Sequence, residues 1–440
     1  MWARFVLIPG LSAAAPDHGC RGKRRSCLTG EMLRRSQHTR QTIMNLPPQI
    51  AKMRASAGEL GLLLASWCDQ NSGSENFIGL EAMLALLKAE FRRLPGTVEH
   101  LPLTITPAEV LRIRVRPKAP VQLLFSGHYD TAYGVTDGFQ QCEFTSAERL
   151  RGPGVIDMKG GLVVMHAALE AFERSRLTER IGYEVLLTPD KETGSYGSAL
   201  LLAKAAKQYH FGFVFEPARP NGDVVQSRKG TGNFTATCFG RPAQSDSGQP
   251  TGPNAVATLT DFLAQTVRLS AEIPGILINP MPIRAGGSAN QGLTVFADTE
   301  FEVGINQRAE SDAVIARLQA LVETFNAREG CKIELSGGFR RPPMAGSPTT
   351  QKVFADWQQC GRDLGLPPFS WTHSERSSDA NLLTSAGLPC LDGLGPIGDR
   401  MHSPEEWVDL PSLVQRAQTA ALFLHRLDAG EIHLPSPSAG

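Results

Sequence analysis

Two ligand-type side chains follow an apolar run that begins at Val121. Four of residues 121–125 are apolar, which is typical of a buried strand in an α/β sheet. The run ends at a Ser-Gly pair and is followed by His128 and Asp130. An imidazole at a strand end is suited to zinc, and a nearby carboxylate can fix which ring nitrogen faces the metal. On its own, however, such a pair is more often an ordinary polar cluster.

Four further segments place metal-type ligands just after predicted strands or in turns that contain glycine and proline. Their ligand-type residues are Asp157, Glu192, Glu216 and His402. Glycines close to Asp157 would allow a close approach of the main chain. Together with His128, the set contains two histidines and three carboxylates, which a pair of bridged zinc ions requires. The alternative is that all five residues are turn and helix-capping groups.

The elements that must position these turns follow an α/β pattern. Strand predictions cover residues 99–103, 110–115, 121–126, 183–187, 211–215, 232–239, 276–283 and 296–304. Helix predictions cover residues 50–68, 78–92, 160–172, 195–207, 254–269, 312–325, 351–363, 379–385 and 410–425. In the first half, strands and helices alternate, which is typical of a largely parallel sheet covered on both faces. After Val225 the pattern changes to short strands with two amphipathic helices, which predicts a compact α+β insertion.

Composition excludes several classes of protein. The 440 residues include 44 basic and 44 acidic side chains, so the basic excess of a nucleic-acid or membrane-surface protein is missing. None of the eight cysteines forms a Cys-x-x-Cys pair, so we expect buried thiols in a reducing, cytoplasmic compartment. The apolar residues 5–8 loosely imitate a secretion signal, but a proline and a glycine cut the segment short, so secretion is the less favoured alternative.

The ordered motifs resemble those of the zinc-dependent aminoacylase, glutamate carboxypeptidase and acetylornithine deacetylase family of metallopeptidases, most of all its glutamate carboxypeptidase branch. The resemblance extends from about Leu60 to Leu427. Its motifs are Gly-His-x-Asp at 127–130, Gly-x-x-Asp-Met-Lys-Gly-Gly at 154–161, Thr-Pro-Asp at 188–190, Phe-Glu-Pro at 215–217 and His-Ser-Pro at 402–404. It implies hydrolysis of an amide bond in a small peptide or an N-acyl amino acid.

By this resemblance, Asp157 bridges two zinc ions, for which cobalt or manganese are alternatives. His128 and Glu216 would bind one ion, and Glu192 and His402 the other. Asp130 would orient His128 and belong to the catalytic group. The resemblance further implies a mixed, largely parallel sheet covered by helices, with an inserted α+β lid domain through which two copies form a homodimer.

The predicted domain organisation follows from these patterns. Residues 1–43 are a disordered leader or an over-extended start, and 434–440 a disordered tail. The catalytic domain consists of residues 44–225 and 343–433, and the lid of residues 226–342. Short strands and amphipathic helices in the lid would leave an edge and an apolar face uncovered in a monomer. No nucleic acid or membrane is expected as a partner.

Two departures from the family pattern affect catalysis. Lys191 occupies the position of the glutamate that serves as general base, and Gln244 replaces a lid histidine that faces the reacting carbonyl. About 5 Å from a zinc dication, at an effective dielectric of about 20, an ammonium is repelled by roughly 6–7 kcal/mol. We therefore expect Lys191 to point away, toward water and counter-charges such as Asp190. The protein is then an impaired hydrolase, or a non-catalytic metal- or ligand-binding homologue; a neutral lysine acting as base is a third hypothesis.

Other polar residues have weaker functional signals. Asn290 and Arg308, like Gln244, stand where the family offers groups to the substrate, although a lid-surface role is the alternative. His166, inside the helix after Asp157, is expected to be a packed side chain rather than a ligand. Lys159 is expected to support the entry into that helix.

Overall fold

The structure of the protein is a computed structural model that describes residues 46–240, 254–286, 294–328 and 330–434. Its helices are α1 Pro48–Lys52, α2 Ala57–Cys68, α3 Phe77–Phe91, α4 Lys159–Ser175, α5 Ala199–Ala206, α6 Ala255–Glu272, α7 Arg308–Asn326, α8 Pro348–Asp363, α9 Asp379–Ser385 and α10 Leu410–Ala429. Its strands are β1 Thr97–Pro102, β2 Glu109–Val115, β3 Val121–His128, β4 Glu143–Ser146, β5 Arg149–Arg151, β6 Ile181–Thr188, β7 Phe211–Val214, β8 Val224–Arg228, β9 Gly230–Gly240, β10 Leu277–Gly286, β11 Phe296–Ile305, β12 Cys331–Arg341, β13 Trp371–Ser374, β14 Cys390–Leu391, β15 Gly398–Asp399 and β16 Trp407–Asp409.

The main sheet has the strand order β1-β2-β6-β3-β7-β14. The pairs β6–β3, β3–β7 and β7–β14 are parallel, and β1–β2 and β2–β6 are antiparallel. Alternate side chains of β3 enter two different cores: Leu123 and Phe125 pack with α3, α4, α8 and α10, whereas Leu124 packs with α5 and α9. Helices therefore cover both faces, and the predicted mixed, largely parallel α/β fold is confirmed.

A second, antiparallel sheet has the order β10-β11-β9-β12 and a core of its own. Phe234 of β9 stacks on Phe301 of β11, and α6 and α7 meet through Phe262 and Phe325. This sheet lies within the region predicted to be the lid. Its strand β10 is an edge, and nine of the ten residues of β10 are exposed.

Several elements differ from the predictions, two of them for identifiable reasons. The helix predicted over residues 50–68 is divided into α1 and α2, and strands β4, β5, β8 and β13–β16 were not predicted. The helix predicted from residue 195 begins only at Ala199, because Asp190 accepts hydrogen bonds from the main-chain N–H groups of Gly197 and Ser198 and holds that segment as a turn. Strand β12 was not predicted, since Gly337 and Gly338 interrupt its pattern with positive φ angles of 104° and 157°.

Some predictions cannot be compared with the structure. The leader at 1–43 and all of the tail except Leu434 lie outside the described residues. Among the helices that are described, none is both long enough and apolar enough to span a membrane.

Candidate metal centre

Three neighbouring strands of the main sheet deliver ligand-type residues to one edge. His128 is the last residue of β3 and pairs in register with Thr188, the last residue of β6. Strand β7 lies on the other side of β3 and ends two residues before Glu216. Because carboxyl ends of parallel strands meet at the same edge, residues that follow β3, β6 and β7 lie side by side.

Asp157 reaches this edge from the turn before α4. Gly161, in the first turn of α4, packs so closely on the end of β7 that a Cβ atom there would lie 1.9 Å from the Phe215 carbonyl oxygen. Gly154 has φ +72°, a left-handed conformation that favours glycine. The glycines of this motif thus allow α4 and its preceding turn to bring Asp157 against the residues after β7.

His402 arrives from the loop between β15 and β16, where its φ is +61°. The residue that connects this loop to the Asp157 turn is Glu406, which no sequence motif indicated. The fully buried Glu406 accepts hydrogen bonds from the main-chain N–H groups of Ile156, at 2.9 Å, and of Asp157, at 3.2 Å, and from the Tyr133 hydroxyl. Glu406 therefore fixes Asp157 relative to His402.

The five predicted metal ligands converge. His128 Nε2 lies 3.2 Å from Asp157 Oδ1, and His402 Nε2 lies 3.1 Å from Asp157 Oδ2, so the two imidazoles face opposite oxygens of one carboxylate. His402 Nε2 is also 3.3 Å from Glu192 Oε2, and His128 Nε2 is 3.7 Å from Glu216 Oε1. Ligand atoms of His128, Asp157 and Glu192 all lie within 4.8 Å of one another, which is close enough to hold a metal ion. This donor set of imidazoles and carboxylates fits zinc.

Asp130 connects the ends of β3 and β6. Its Oδ1 atom lies 3.2 Å from His128 Nδ1, and the same imidazole nitrogen lies 3.0 Å from the Asp130 carbonyl oxygen. The two carboxylate oxygens also accept the main-chain N–H groups of Lys191, at 3.1 Å, and Glu192, at 2.9 Å. A fully buried aspartate thus contacts the imidazole of His128 and also holds the turn that carries Lys191 and Glu192.

The expectation that Lys191 points away from the cluster is wrong. Its side chain is only 9% exposed, and its Nζ lies 3.0 Å from Glu192 Oε1 and 3.4 Å from Asp157 Oδ1. Asp190, the counter-charge expected for it, is bonded to the Ser198 hydroxyl instead. The physical reason is that the carboxylates of Glu192 and Asp157 attract the ammonium, whereas the prediction included only its repulsion by a metal ion.

The electrostatics of the cluster favour cations. Burial raises the pKa of Glu216 to about 7, although Lys191 acts in the opposite direction. Burial would also raise the pKa of Asp157, but Lys191 and the two imidazoles outweigh it and hold that pKa well below its usual range. Hydrogen bonds to Asp157 and Glu192 raise the pKa of His402 to about 9. Because a metal-bound imidazole must be neutral, loading the site should release protons.

A cleft of about 390 Å³ opens beside Glu192 and His402. The second sheet contributes to its wall, and so do three arginines, Arg340 and Arg341 of β12 and Arg376 from the segment after β13. Residues outside the cluster that line the cleft include Tyr196, Thr231, Asn233, Glu302, Arg340 and Arg376.

Only one of the three predicted substrate-binding residues can be compared with this cleft. Gln244 and Asn290 lie outside the described residues. Arg308 is described, but it is the exposed first residue of α7 and is not among the lining residues. The roles of all three residues stay predictions.

Two other polar side chains near the site have structural partners. Lys159 is buried, and its Nζ donates to the carbonyl oxygens of Trp67, at 3.0 Å, and Gln70, at 2.8 Å, so it joins α4 to the end of α2. His166 is buried with its Nε2 3.1 Å from the Glu90 carbonyl oxygen and its ring edge-on to Phe91. Both therefore support packing, as predicted.

This chain is similar in sequence to a known carboxypeptidase and in fold to solved peptidase structures. Carboxypeptidase G2 from Pseudomonas sp. (strain RS-16) is 23% identical over 369 residues, which are 82% of this chain and 87% of that protein. A tripeptidase structure from Staphylococcus aureus has a TM-score of 0.70 at 18% identity, over 85% of this chain and 99% of that one. The Bacillus subtilis YXEP protein, described as a dinuclear metal binding peptidase, has a TM-score of 0.60 at 13% identity, over 85% of this chain and 98% of that one.

The two structural similarities, at such low identity, show the fold. The family itself is shown by sequence, because the family model described as peptidase family M20/M25/M40 matches residues 124–426, which include all five converging ligands. This chain therefore belongs to peptidase family M20/M25/M40.

Proposed function

We propose that the protein is a metal-dependent hydrolase of an amide bond in small peptides or N-acyl amino acids. The observation that carries the proposal is the placement of the His128 and His402 imidazoles on opposite oxygens of Asp157. Glu192 and Glu216 complete the ligand set. Zinc is the ion that this set favours, with cobalt and manganese as alternatives.

Each residue of the site has a distinct role in this proposal. A bound metal would polarise the substrate carbonyl and lower the pKa of a bound water. Asp157, Glu192 and Glu216 supply the negative charge that retains the metal. Asp130 fixes the orientation of His128, and Glu406 fixes the position of Asp157. The cleft admits the substrate beside Glu192 and His402.

The charged wall of the cleft supports a substrate with a carboxylate, which peptides and N-acyl amino acids both carry. Arg340 and Arg376 line the cleft, and neither forms an ion pair within the described ranges of the chain. Arg340 lies 4.9 Å over the ring of Tyr196, which leaves its hydrogen-bond donors available. From the lid, Gln244, Asn290 and Arg308 are proposed to contact the substrate as well.

We expect the reaction to be slow, because Lys191 occupies the position of the general base. An ammonium cannot accept a proton, and loss of a general base costs roughly 10²–10⁴-fold in rate. The buried ammonium among the carboxylates equally supports the second candidate function, a non-catalytic homologue that binds a metal or a ligand. The two differ in whether the metal-loaded protein turns over at all.

The decisive experiment measures zinc-loaded turnover of a panel of N-acyl amino acids and dipeptides. We expect very poor hydrolysis by the wild type and an increase of at least about tenfold for Lys191→Glu, with a further gain when Gln244→His is added. Lys229→Glu is the matched control, because Lys229 pairs with Glu375 rather than with the ligands. Robust wild-type turnover that Lys191→Glu abolishes would identify Lys191 as a working base. No turnover by any variant would favour the non-catalytic function.

The protein is further proposed to act as a homodimer through its second sheet. Edge strand β10 exposes Leu277, Met281 and Ile283, which are 55%, 41% and 38% accessible. An edge strand with exposed apolar side chains is expected to be covered by another chain. A cytoplasmic location is proposed from the buried free thiols of Cys360 and Cys390.

A further inference from the structure

The ammonium of Lys191 contacts one defined set of carboxylate oxygens. Its Nζ lies 3.0 Å from Glu192 Oε1 and 3.4 Å from Asp157 Oδ1. It lies 3.8 Å from Glu216 Oε1. The same three oxygens surround His128 Nε2, at 3.9, 3.2 and 3.7 Å respectively. Lys191 thus shares the oxygens that an ion bound by His128 would use.

The second carboxylate oxygens of Asp157 and Glu192 face the imidazole of His402. His402 Nε2 lies 3.1 Å from Asp157 Oδ2 and 3.3 Å from Glu192 Oε2. Among the described hydrogen bonds, Lys191 Nζ donates to Asp157 Oδ1 and Glu192 Oε1 and to neither of these two atoms. The cluster therefore has two sides, and the lysine nitrogen forms its hydrogen bonds on the His128 side.

The main chain holds Lys191 in this position. Its N–H donates to Asp130 Oδ1, at 3.1 Å, and its carbonyl oxygen accepts from Arg341 Nη2, at 3.1 Å. The same carbonyl oxygen also accepts the N–H of Gly194, at 3.0 Å. Asp130 and Arg341 are themselves buried, so the backbone at Lys191 cannot move without breaking buried hydrogen bonds.

The position of the ammonium indicates what such a lysine does. An ion bound by His128 would use the three oxygens that Lys191 Nζ already contacts at 3.0, 3.4 and 3.8 Å. The ion and the ammonium would therefore lie close together and repel each other. An ion on the His402 side would use the other oxygens of Asp157 and Glu192 instead.

We propose that Lys191 is a built-in cation that takes the place of one of two metal ions. The His402 side, with Asp157 and Glu192, then holds the single resident ion. Three protein ligands are the number that a catalytic zinc site commonly uses. This inference rests on the proposed function, because it takes the same residues as metal ligands, but it concerns the number and place of the ions rather than the reaction.

The test is the metal content of the full chain, measured by elemental analysis after zinc loading and removal of free metal. We expect about one zinc per chain in the wild type and about two in Lys191→Met, which has a similar unbranched side chain without the charge. Lys229→Met, with its lysine outside the ligand cluster, should stay at about one zinc, as the wild type does. Two zinc ions in the wild type would overturn the inference without touching the proposed function.

A second pair of variants locates the ion without relying on the folding of Lys191→Met. In the otherwise wild-type chain, His402→Ala should lose the ion, whereas His128→Ala should keep it. Loss in His128→Ala with retention in His402→Ala would overturn the assignment of the lysine to the His128 side. Absence of metal from the wild type and from Lys191→Met alike would instead refute the metal centre itself, and with it the proposed function.

Discussion

Asp130 is expected to contribute more to the fold than its place beside one imidazole suggests. Its carboxylate is fully buried and accepts two main-chain N–H groups, those of Lys191 and Glu192, in addition to contacting His128. In Asp130→Ala both N–H groups lose their acceptor, and so does the Ser74 hydroxyl, which donates to the same carboxylate at 2.8 Å. A buried donor without a partner costs about 1–3 kcal/mol, so the two N–H groups together should lower the free energy of unfolding by about 2–6 kcal/mol. That is a large part of the roughly 5–15 kcal/mol that stabilises a typical protein.

Asp130→Asn gives a graded second measurement. The amide oxygen can still accept one of the two N–H groups, so the loss should be about half, roughly 1–3 kcal/mol. Urea unfolding of both variants, followed by circular dichroism in the presence of a chelator, measures this effect apart from metal binding. Zinc titration of the folded variants should show metal affinity reduced by roughly 10–100-fold, because the main chain of Glu192, a ligand on the His402 side, loses the partner that holds it.

The control for these variants is Asp137→Ala. Asp137 is exposed and accepts a single N–H group, from Gly134, at 2.8 Å, so its removal should leave the unfolding free energy nearly unchanged. The reasoning would be refuted if Asp130→Ala unfolded within about 1 kcal/mol of the wild type and bound zinc equally well.

Three further predictions concern other parts of the molecule. Glu406→Gln should weaken zinc binding by roughly 10–100-fold, and Tyr133→Phe by less, in the same titration. If Glu406→Gln bound zinc as tightly as the wild type, Glu406 would not be the residue that positions Asp157. Burial lowers the pKa of His166, so the stability that the neutral imidazole contributes is present above the unfolded pKa of about 6.5 and is lost as the pH falls below that value. Between pH 7.5 and 5.5, the urea midpoint of His166→Gln should therefore fall less steeply than that of the wild type. Light scattering should find a dimer that Ile283→Glu dissociates and Leu62→Glu, at an exposed site on α2, does not.

Much of the fold was predictable because its strands have strong local patterns. Strands β3, β6 and β7 are short apolar runs between turns, and the alternation with helices limits the sheet to few arrangements. Two of the errors arose where a side chain or glycines override the local pattern. Asp190 caps a turn across residues 197–198 and delays the start of α5, and the two glycines of β12 weaken its strand signal.

The site was only partly predictable for a different reason. The five converging ligands belong to motifs that are recognisable one at a time along the chain, so their order indicated a common site. Glu406 belongs to no such motif: its main-chain partners Ile156 and Asp157 lie about 250 residues earlier, and nothing local distinguishes it from an exposed glutamate. The side chain of Lys191 points toward three carboxylates that come from three separate segments of the chain. The prediction included only the repulsion between one lysine and one metal ion, so it could not include this attraction.

In the turn that carries Lys191, the contacts that fix the main chain do not involve the side chain that sets the charge near the metal ligands. Its main chain is fixed by the Asp130 carboxylate, the Arg341 guanidinium and the N–H of Gly194, and none of these contacts uses the side chain at position 191. A substitution there should therefore leave the positions of Glu192 and Asp130 unchanged. The charge placed among the carboxylates, by contrast, is decided by that one side chain. Lysine and glutamate at this position share one backbone but differ by two units of charge at the metal ligands, so the number of ions and the rate should both depend on residue 191.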